Sequence, residues 1–153
     1  MPAEHHPPEF RFEHVDAVND LYNPAAGSGR YLLAAAAAAA DASVDLVTSH
    51  SLFTHLLADD LVNYVQKSAR VLRAQGRMAM TVFCLEHIQR FPEFGRRWTF
   101  RNRIGDARVG NPRHAEAAAA YEEAYLVETA RRAGVAGAEI RPYGHQAWII
   151  AVR

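Results

Sequence analysis

The sequence predicts an α/β fold built on one mostly parallel sheet that ends in an antiparallel β-hairpin. Two apolar, β-branched segments, 44–50 and 78–83, flank a helical pattern that begins near Asp59, as in a right-handed βαβ unit. A second helical pattern covers 116–132 and is stopped by a glycine. The chain then closes with two short strands on either side of the turn 142–145, which predicts the hairpin.

Length and charge restrict the classes of protein that the sequence fits. A chain of 153 residues is long enough for one domain, which at this size buries about two thirds of its unfolded surface. Seventeen basic and seventeen acidic residues balance, so no global positive field exists for nucleic acid or an anionic membrane. No bilayer-length apolar run and no signal peptide are recognisable, so we expect a cytoplasmic protein. Cys84 is the single cysteine, so we predict no disulfide and no metal site.

The sequence predicts an irregular N-terminal segment followed by a short strand. Residues 1–9 hold three prolines and predict an irregular arm, which precedes a single α/β domain at 10–153. Phe10 and Phe12 alternate with polar residues and predict a short strand that ends near Asp16.

Two unusual segments follow this strand. The Gly-Ser-Gly sequence at 27–29 follows a loop and favours a flexible connector. The seven alanines at 34–40 predict a short helix. A run of this kind also arises where alanine stands for residues of unknown identity, so both interpretations stay open.

The βαβ unit has recognisable ends. The run 44–50 is typical of a strand buried in a parallel sheet, and the helix after it is expected to start with Asp59 or Asp60 as its cap and to end at Gly76. Open α/β sheets bind ligands at the carboxyl ends of their strands. Ser49 and His50 lie at such an end.

His50 is the candidate catalytic residue. An imidazole titrates near neutral pH and can act as general base toward an acceptor hydroxyl. The alternative is a loop histidine that is bonded to backbone.

These segments resemble a known family. The block VDLVTSHSLFTHLLADDLVNYVQKSARVLRAQGRMAMTVF at 44–83 is similar to the fourth strand, following helix and fifth strand of class I S-adenosylmethionine-dependent methyltransferases. The segment at 10–24 resembles the third strand with its loop, and 121–135 resembles the last helix. The resemblance implies a Rossmann-like sheet, S-adenosylmethionine as cofactor and a small-molecule acceptor. It places Asp16 beside the adenine, and Ser49 is the second candidate cofactor-binding residue.

The segment 90–113 corresponds to the insertion that often forms an acceptor lid in this family. It contains seven arginines against two acids, with aromatic residues between them. Guanidinium groups recognise carboxylates or phosphates through bidentate hydrogen bonds. A solvated loop or a surface that meets a partner subunit accounts for the same composition. The candidate acceptor-binding residues are Arg96, Arg97, Trp98 and Arg101.

The sequence departs from the family at the cofactor motif. The first strand with its Gly-x-Gly-x-Gly loop is missing, as is the second strand, whose terminal acid binds the ribose. The family's strand order is 3-2-1-4-5-7-6, so the strand at 44–49 becomes an edge. We therefore expect that the predicted third strand moves in beside it, or that a second copy or a separate N-terminal half completes the sheet.

Three functions fit this sequence. The first is a truncated or split methyltransferase that acts on a small-molecule acceptor and is incomplete as it stands. The second is a non-methylating enzyme, such as a cyclase, on the same scaffold. The third is a non-catalytic module that binds a partner through the exposed sheet edge.

Overall fold

The computed structural model describes residues 39–91 and 98–153. Among these residues, no helix is long and apolar enough to cross a membrane. Several sequence predictions fall outside the described residues, namely the arm 1–9, the strand ending near Asp16, the loop 27–29, most of the alanine run, and Arg96 and Arg97.

The described residues form a mixed α/β structure. The strands are β1 Val44–Ser49, β2 Leu72–Cys84, β3 Asn102–Ile104, β4 Ala107–Val109, β5 Ala119–Tyr121, β6 Ala136–Tyr143 and β7 Gln146–Val152. The helices are α1 Ala58–Val71, α2 Leu85–Ile88 and α3 Glu123–Arg132, and short 3₁₀ turns lie at Phe53–His55 and Pro112–Ala117.

The long strand β2 organises the sheet. It runs parallel to β1 and β5 and antiparallel to β7, which pairs antiparallel with β6. The strand order is β3-β4-β5-β2-β7-β6, with β1 as a further partner of β2. The order β1-β2-β7-β6 is the predicted 4-5-7-6 of the family. The fold class is therefore confirmed as an α/β, Rossmann-like sheet with a terminal antiparallel hairpin.

The βαβ unit is confirmed, but its helix begins and ends differently from the prediction. Leu57 is the N-cap and no side chain caps the helix, whereas Asp59 and Asp60 lie within the first turn. Carboxylates in that position still stabilise the helix, because they face the positive end of its dipole. The helix ends at Val71 rather than at Gly76.

Gly76 instead lies inside β2, where the backbones of two strands approach closely. A Cβ at this position would come within 2.9 Å of the Arg73 carbonyl oxygen and 3.0 Å of the Val44 carbonyl oxygen. The register between β1 and β2 shifts at the same place. The glycine is therefore needed for close packing rather than for ending the helix.

The helix predicted for 116–132 is wrong in its first half. Residues 119–121 form β5, which pairs with both β2 and β4, and α3 starts only at Glu123. The three side chains of β5 are completely buried. Alanine has high helix propensity, but its small side chain also fits between two packed strands, so burial outweighs local preference here.

The arginine-rich segment contains a hairpin that the sequence did not predict. Strands β3 and β4 pair antiparallel around the turn at Gly105, whose positive φ of 57° favours glycine. Ala107 and Val109 face inward and are buried, whereas Arg108 between them is half-buried. Apolar and polar residues alternate over only three positions in β4. Such a short alternation is not recognisable within a polar sequence.

Strand β1 is an edge strand within the described residues, because β2 is the one strand with which it pairs there. The prediction of a buried strand at 44–49 is wrong. Leu46 exposes 56% of its surface, and Asp45 points to solvent in an ion pair with Arg73. Val47 packs against the core, while Asp45, Leu46 and Thr48 are exposed.

The two faces of the sheet differ sharply. On one face, helices α1 and α3 cover the buried side chains of β2 and β7, and we call it the closed face; it consists of Met78, Met80, Val82, Ala147, Ile149 and Ala151. The alternate residues form the open face, which is defined by Leu46, Thr48, Ala79, Thr81, Trp148, Ile150 and Val152. Most of these are half-buried or exposed.

Candidate functional site

The carboxyl ends of four strands meet at one edge of the molecule. Strands β1, β2, β5 and β6 run in the same direction, since β5 is parallel to β2 and β6 is antiparallel to β7. His50, Glu122 and the turn at Gly144 directly follow β1, β5 and β6, and Glu86 is the second residue after β2. This is the edge at which open α/β sheets bind their ligands.

One group of side chains at this edge surrounds His50, on the open face. We call it the His50 corner and define it as His50, Ser51, Tyr143, Gln146 and Trp148. The His50 ring lies 5.7 Å from Tyr143 and 5.9 Å from Trp148, and these two rings are 5.4 Å apart. His50 and Tyr143 remain exposed. The corner therefore offers aromatic surface beside an accessible imidazole.

Ser51 is fixed at the centre of this corner. Its backbone N–H donates to Thr81 Oγ1 at 2.6 Å, and its carbonyl accepts from Thr54 Oγ1 at 3.1 Å. Its φ is 56°, a conformation that is unfavourable for a residue with a side chain and that these bonds stabilise. The side-chain Oγ accepts from Gln146 Nε2 at 3.1 Å and lies 3.2 Å from His50 Nδ1.

Gln146 is buried, with 8% of its surface exposed. Its amide oxygen Oε1 has no hydrogen-bond partner among the described residues. A buried, unpaired carbonyl oxygen is destabilising by about 1–3 kcal/mol. A contribution to folding stability therefore does not explain why a glutamine lies at position 146.

A cleft of about 540 Å³ lies further along the same edge, next to the ends of β2 and β5. We call it the edge cleft. Its walls are largely apolar and aromatic, with two carboxylates and one guanidinium among them; it is lined by Leu85, Glu86, Ile88, Gln89, Phe91, Trp98, Thr99, Phe100, Arg108 and Glu122. Its volume is in the range of small-molecule sites, which is about 300–1,000 Å³.

A small apolar cluster holds the wall of the edge cleft. Phe100 packs on Phe83 with ring centroids 5.4 Å apart, and Ala118 and Ala120 belong to the same cluster. Trp98 packs on the same cluster, and its ring is so close to Gly110 that a Cβ there would lie 2.8 Å from it. Phe100 has a φ of 45°, which is rare for a bulky residue and is the kind of backbone strain found at functional sites.

The polar groups of the edge cleft have different surroundings. Glu86 Oε2 accepts from the backbone N–H of Glu123 at 3.0 Å and from Cys84 Sγ at 3.3 Å, so Glu86 connects α2 to the start of α3. The ion pairs among the described residues include none of Glu86, Arg108 and Glu122. Charges of both signs are thus available to a ligand.

Buried polar groups beneath this edge hold it rigid. Tyr121 donates its hydroxyl to the Leu56 carbonyl at 2.7 Å, and burial raises the pKa of Tyr121 strongly. Burial also raises the pKa of the Cys84 thiol to about 11. His87 Nε2 lies 2.8 Å from the Gly144 carbonyl and ties the β6–β7 turn to α2. Cys84 is therefore a structural thiol rather than a reactive one.

The residues that the sequence singled out are distributed over several places. Ser49 is half-buried and pairs with Met80 of the closed face, while His50 is exposed in the His50 corner. Trp98 lines the edge cleft. Arg101 is exposed, and its side chain is not among those that line the cleft. Asp16, Arg96 and Arg97 lie outside the described residues.

Other residues at this edge escaped sequence analysis. Glu86 is the second residue after β2, so the rule that identified His50 extends to it. Glu122 lay inside the predicted helix, and Arg108 inside a segment predicted without strands. Arg103, which was grouped with the lid arginines, instead donates to the carbonyl oxygen of Gly105 at 2.8 Å in its own hairpin.

The described residues around β1 do not fit S-adenosylmethionine. This cofactor needs a carboxylate for its ribose hydroxyls and backbone donors for its own carboxylate. The His50 corner supplies an imidazole, a hydroxyl and an amide, with no acid among them. Among the described residues, no group of three or more histidine, cysteine or acidic side chains is placed to hold a metal ion either.

Comparison with known proteins gives one family. The model of a methyltransferase domain family matches residues 13–80. An O-methyltransferase family protein from Burkholderia thailandensis is similar in fold, with 12% identity, a TM-score of 0.57 and alignment over 82% of this chain and 35% of that one. A methyltransferase from Methanosarcina mazei dependent on S-adenosylmethionine has 14% identity, a TM-score of 0.54 and coverages of 84% and 68%.

A third similar structure contains ligands. It is the 1,6-didemethyltoxoflavin-N1-methyltransferase of Burkholderia thailandensis, solved with 1,6-didemethyltoxoflavin and S-adenosylhomocysteine, at 16% identity and a TM-score of 0.51. The alignment covers 82% of this chain and 51% of that one, so the chain spans about half of its length. These similarities show that the chain shares the fold of S-adenosylmethionine-dependent methyltransferases, as the sequence resemblance implied.

Proposed function

We propose that this chain binds the small-molecule acceptor of a methyl transfer that depends on S-adenosylmethionine. The observation that supports the proposal is the edge cleft, which combines small-molecule size with aromatic walls at the carboxyl ends of β2 and β5. Glu86, Glu122 and Arg108 orient a polar acceptor inside it. Trp98 and Phe100 pack against its ring system.

The roles assigned from sequence belong to the same proposal. His50 is the candidate general base, and Ser49 and Asp16 are the candidate cofactor contacts. Arg96, Arg97 and Arg101 are candidates for recognition of an anionic acceptor together with Trp98. The experiment below tests the acceptor site directly, because it does not require the cofactor to be bound.

Two tryptophans make the acceptor site measurable. Trp98 lines the edge cleft and Trp148 belongs to the His50 corner, and the sequence contains no other tryptophan. We would titrate the full chain with phenol, aniline and benzoate and follow both indole N–H signals by NMR, assigned with Trp98→Phe and Trp148→Phe. We expect the Trp98 signal to shift with at least one probe. If no probe at millimolar concentration moves Trp98, the edge cleft is not the acceptor site.

The methyl transfer itself needs a separate assay. We expect the isolated chain to bind S-adenosylmethionine weakly or not at all, since the glycine loop and ribose acid are missing from its sequence. Calorimetric titration that gave micromolar affinity would contradict this expectation. Radiolabelled S-adenosylmethionine at millimolar concentration, with the same three probes as acceptors, tests whether weak cofactor binding still supports transfer, and any labelled product should decrease in Phe100→Ala. No product with any acceptor would exclude methyl transfer to these acceptors by the chain alone.

A second candidate function is a module that binds a partner. The observation that favours it is the exposed Leu46 on edge strand β1. A second copy of the chain, or a separate N-terminal half, would extend the sheet at this edge and supply the missing cofactor contacts. If the chain co-purifies with a partner as an active complex, and the isolated chain lacks activity, then both candidate functions apply to the same protein.

A further inference from the structure

The His50 corner contains a hydrogen-bond chain whose direction follows from donor and acceptor counting. Ser51 Oγ has one proton to donate and two lone pairs to accept with. It accepts from Gln146 Nε2 at 3.1 Å, and its other polar neighbour among the described residues is His50 Nδ1 at 3.2 Å. If Nδ1 carried a proton, Ser51 would accept twice and its own proton would have no acceptor there. Donation from the hydroxyl to Nδ1 is therefore the arrangement that satisfies both groups within the protein.

This direction determines the protonation of the imidazole. When Nδ1 accepts, the single proton of neutral His50 is on Nε2. We propose that Gln146 is a positioning residue that sets the tautomer of His50 through Ser51. The proposal rests on the proposed function, in which His50 is the general base, and it assigns residues that the sequence did not identify.

The arrangement changes how the base works. A proton that leaves a ligand hydroxyl placed beside Ser51 would move to Oγ while the hydroxyl proton of Ser51 moves to His50 Nδ1. Ser51 ends unchanged and the imidazole becomes a cation, so the proton count balances. The outward Nε2–H is free to donate to a ligand oxygen. Gln146 Oε1, buried and without a partner among the described residues, is positioned as the acceptor for a ligand N–H or O–H.

The backbone explains why Ser51 stays in place. Its N–H and carbonyl are bonded to Thr81 and Thr54, which lie on β2 and in the following 3₁₀ turn. Gln146 is the first residue of β7, which is paired with β2. Three separate elements therefore hold the chain of donors and acceptors, and the serine hydroxyl is the hydrogen-bonded link between Gln146 and His50.

The decisive variant is Gln146→Glu, because a carboxylate accepts but does not donate. Ser51 should then donate to the new carboxylate and accept from His50, so the proton of neutral His50 should move from Nε2 to Nδ1. Long-range ¹H–¹⁵N NMR of the full chain reads the tautomer directly, with His50 assigned through His50→Gln. We expect the ratio of the two tautomers to change by about tenfold, as one hydrogen bond allows. Gln75→Glu, exposed at the other end of β2, is the control and should change nothing.

Two further measurements separate the proposal from its alternatives. In a Ser51→Gly background, Gln146→Glu should no longer affect His50, and glycine tolerates the positive φ. A shift that persists there would show a direct electrostatic effect and overturn the proposal, as would an unchanged tautomer in folded Gln146→Glu. If that variant does not fold, Gln146→Asp, which also accepts without donating, serves instead, and an unchanged tautomer in it is equally negative. These measurements use no cofactor or acceptor, so they succeed or fail independently of the methyl-transfer assay.

Discussion

The closed and open faces of the sheet differ in how far their side chains are covered, although they share the same strands. Ile149 and Ile150 are neighbours on β7, yet Ile149 is 2% exposed beneath the helices while Ile150 is half-buried on the other face. Polar side chains follow the same division, since Ser51, Thr81 and Gln146 form their network on the open face. The closed face accounts for stability, and the open face, near its carboxyl edge, contains the groups that can act on a ligand.

The largest expected effect compares the two isoleucines. Ile149→Ala removes a side chain from a packed core that cannot collapse into the cavity, so we expect unfolding free energy to fall by about 2–5 kcal/mol. Ile150→Ala loses less buried area and should cost about 1 kcal/mol or less. Urea denaturation followed by circular dichroism measures both. Equal losses would show that the open face is covered in solution.

The next comparison uses two tyrosines. Tyr121→Phe on the closed face leaves the Leu56 carbonyl without its donor in a buried place, and we expect a loss of about 1–3 kcal/mol. Tyr143→Phe on the open face is the matched control, because Tyr143 is 49% exposed and water replaces any lost contact. It should change stability by less than about 0.5 kcal/mol. A larger loss of stability in Tyr143→Phe than in Tyr121→Phe would contradict the conclusion that the closed face accounts for stability.

Local sequence patterns were sufficient to predict the elements with a regular hydrophobic pattern. The βαβ unit and the β6–β7 hairpin follow from apolar runs, helical spacing and turn residues that are close in sequence. Strand β5 could not be predicted, because its alanines prefer a helix and only pairing with β2 and β4 makes them a strand. The apolar sequence of β1 alone predicted burial, and only the missing family strands indicated the edge on which Leu46 is exposed.

The candidate site was predicted less completely than the fold. His50 and Trp98 were identified from position after a strand and from composition, and both lie at the carboxyl edge, although in different places. Gln146 was not identified, because the contact that gives it meaning joins residues 95 positions apart. Such a contact depends on the pairing of β7 with β2, which no local pattern specifies.

A pH experiment tests burial on the closed face. The folded protein raises the pKa of Cys84 from its ordinary 9.0 to about 11, and burial raises that of Tyr121 above its ordinary 10.0. Both groups favour the protonated form when folded, so their stabilisation is complete below pH 9 and is lost as pH rises. Between pH 8 and pH 10 we expect a loss of about 1 kcal/mol from Cys84. Urea denaturation should show this loss in the wild type and not in Cys84→Ala.

The smallest effect on stability is expected at the free edge of β1. Leu46 exposes 56% of its surface on a strand that pairs with β2 alone among the described residues. A lysine on an edge strand keeps that edge in water and prevents pairing with another chain. Leu46→Lys should therefore change unfolding free energy by less than about 0.5 kcal/mol while it alters self-association.

Light scattering after size exclusion decides this last case. If copies of the chain associate through β1, the wild type should be larger than the 17.0 kDa monomer, and Leu46→Lys should return it to that mass. Ala136→Lys adds the same charge on exposed β6 at the opposite edge of the sheet and should leave the assembly intact. A wild type that is already monomeric, with slow hydrogen exchange along β1, would instead mean that this edge is paired within the chain. The open face would then be the surface left for a partner, and Ile150 rather than Leu46 would be the residue to change.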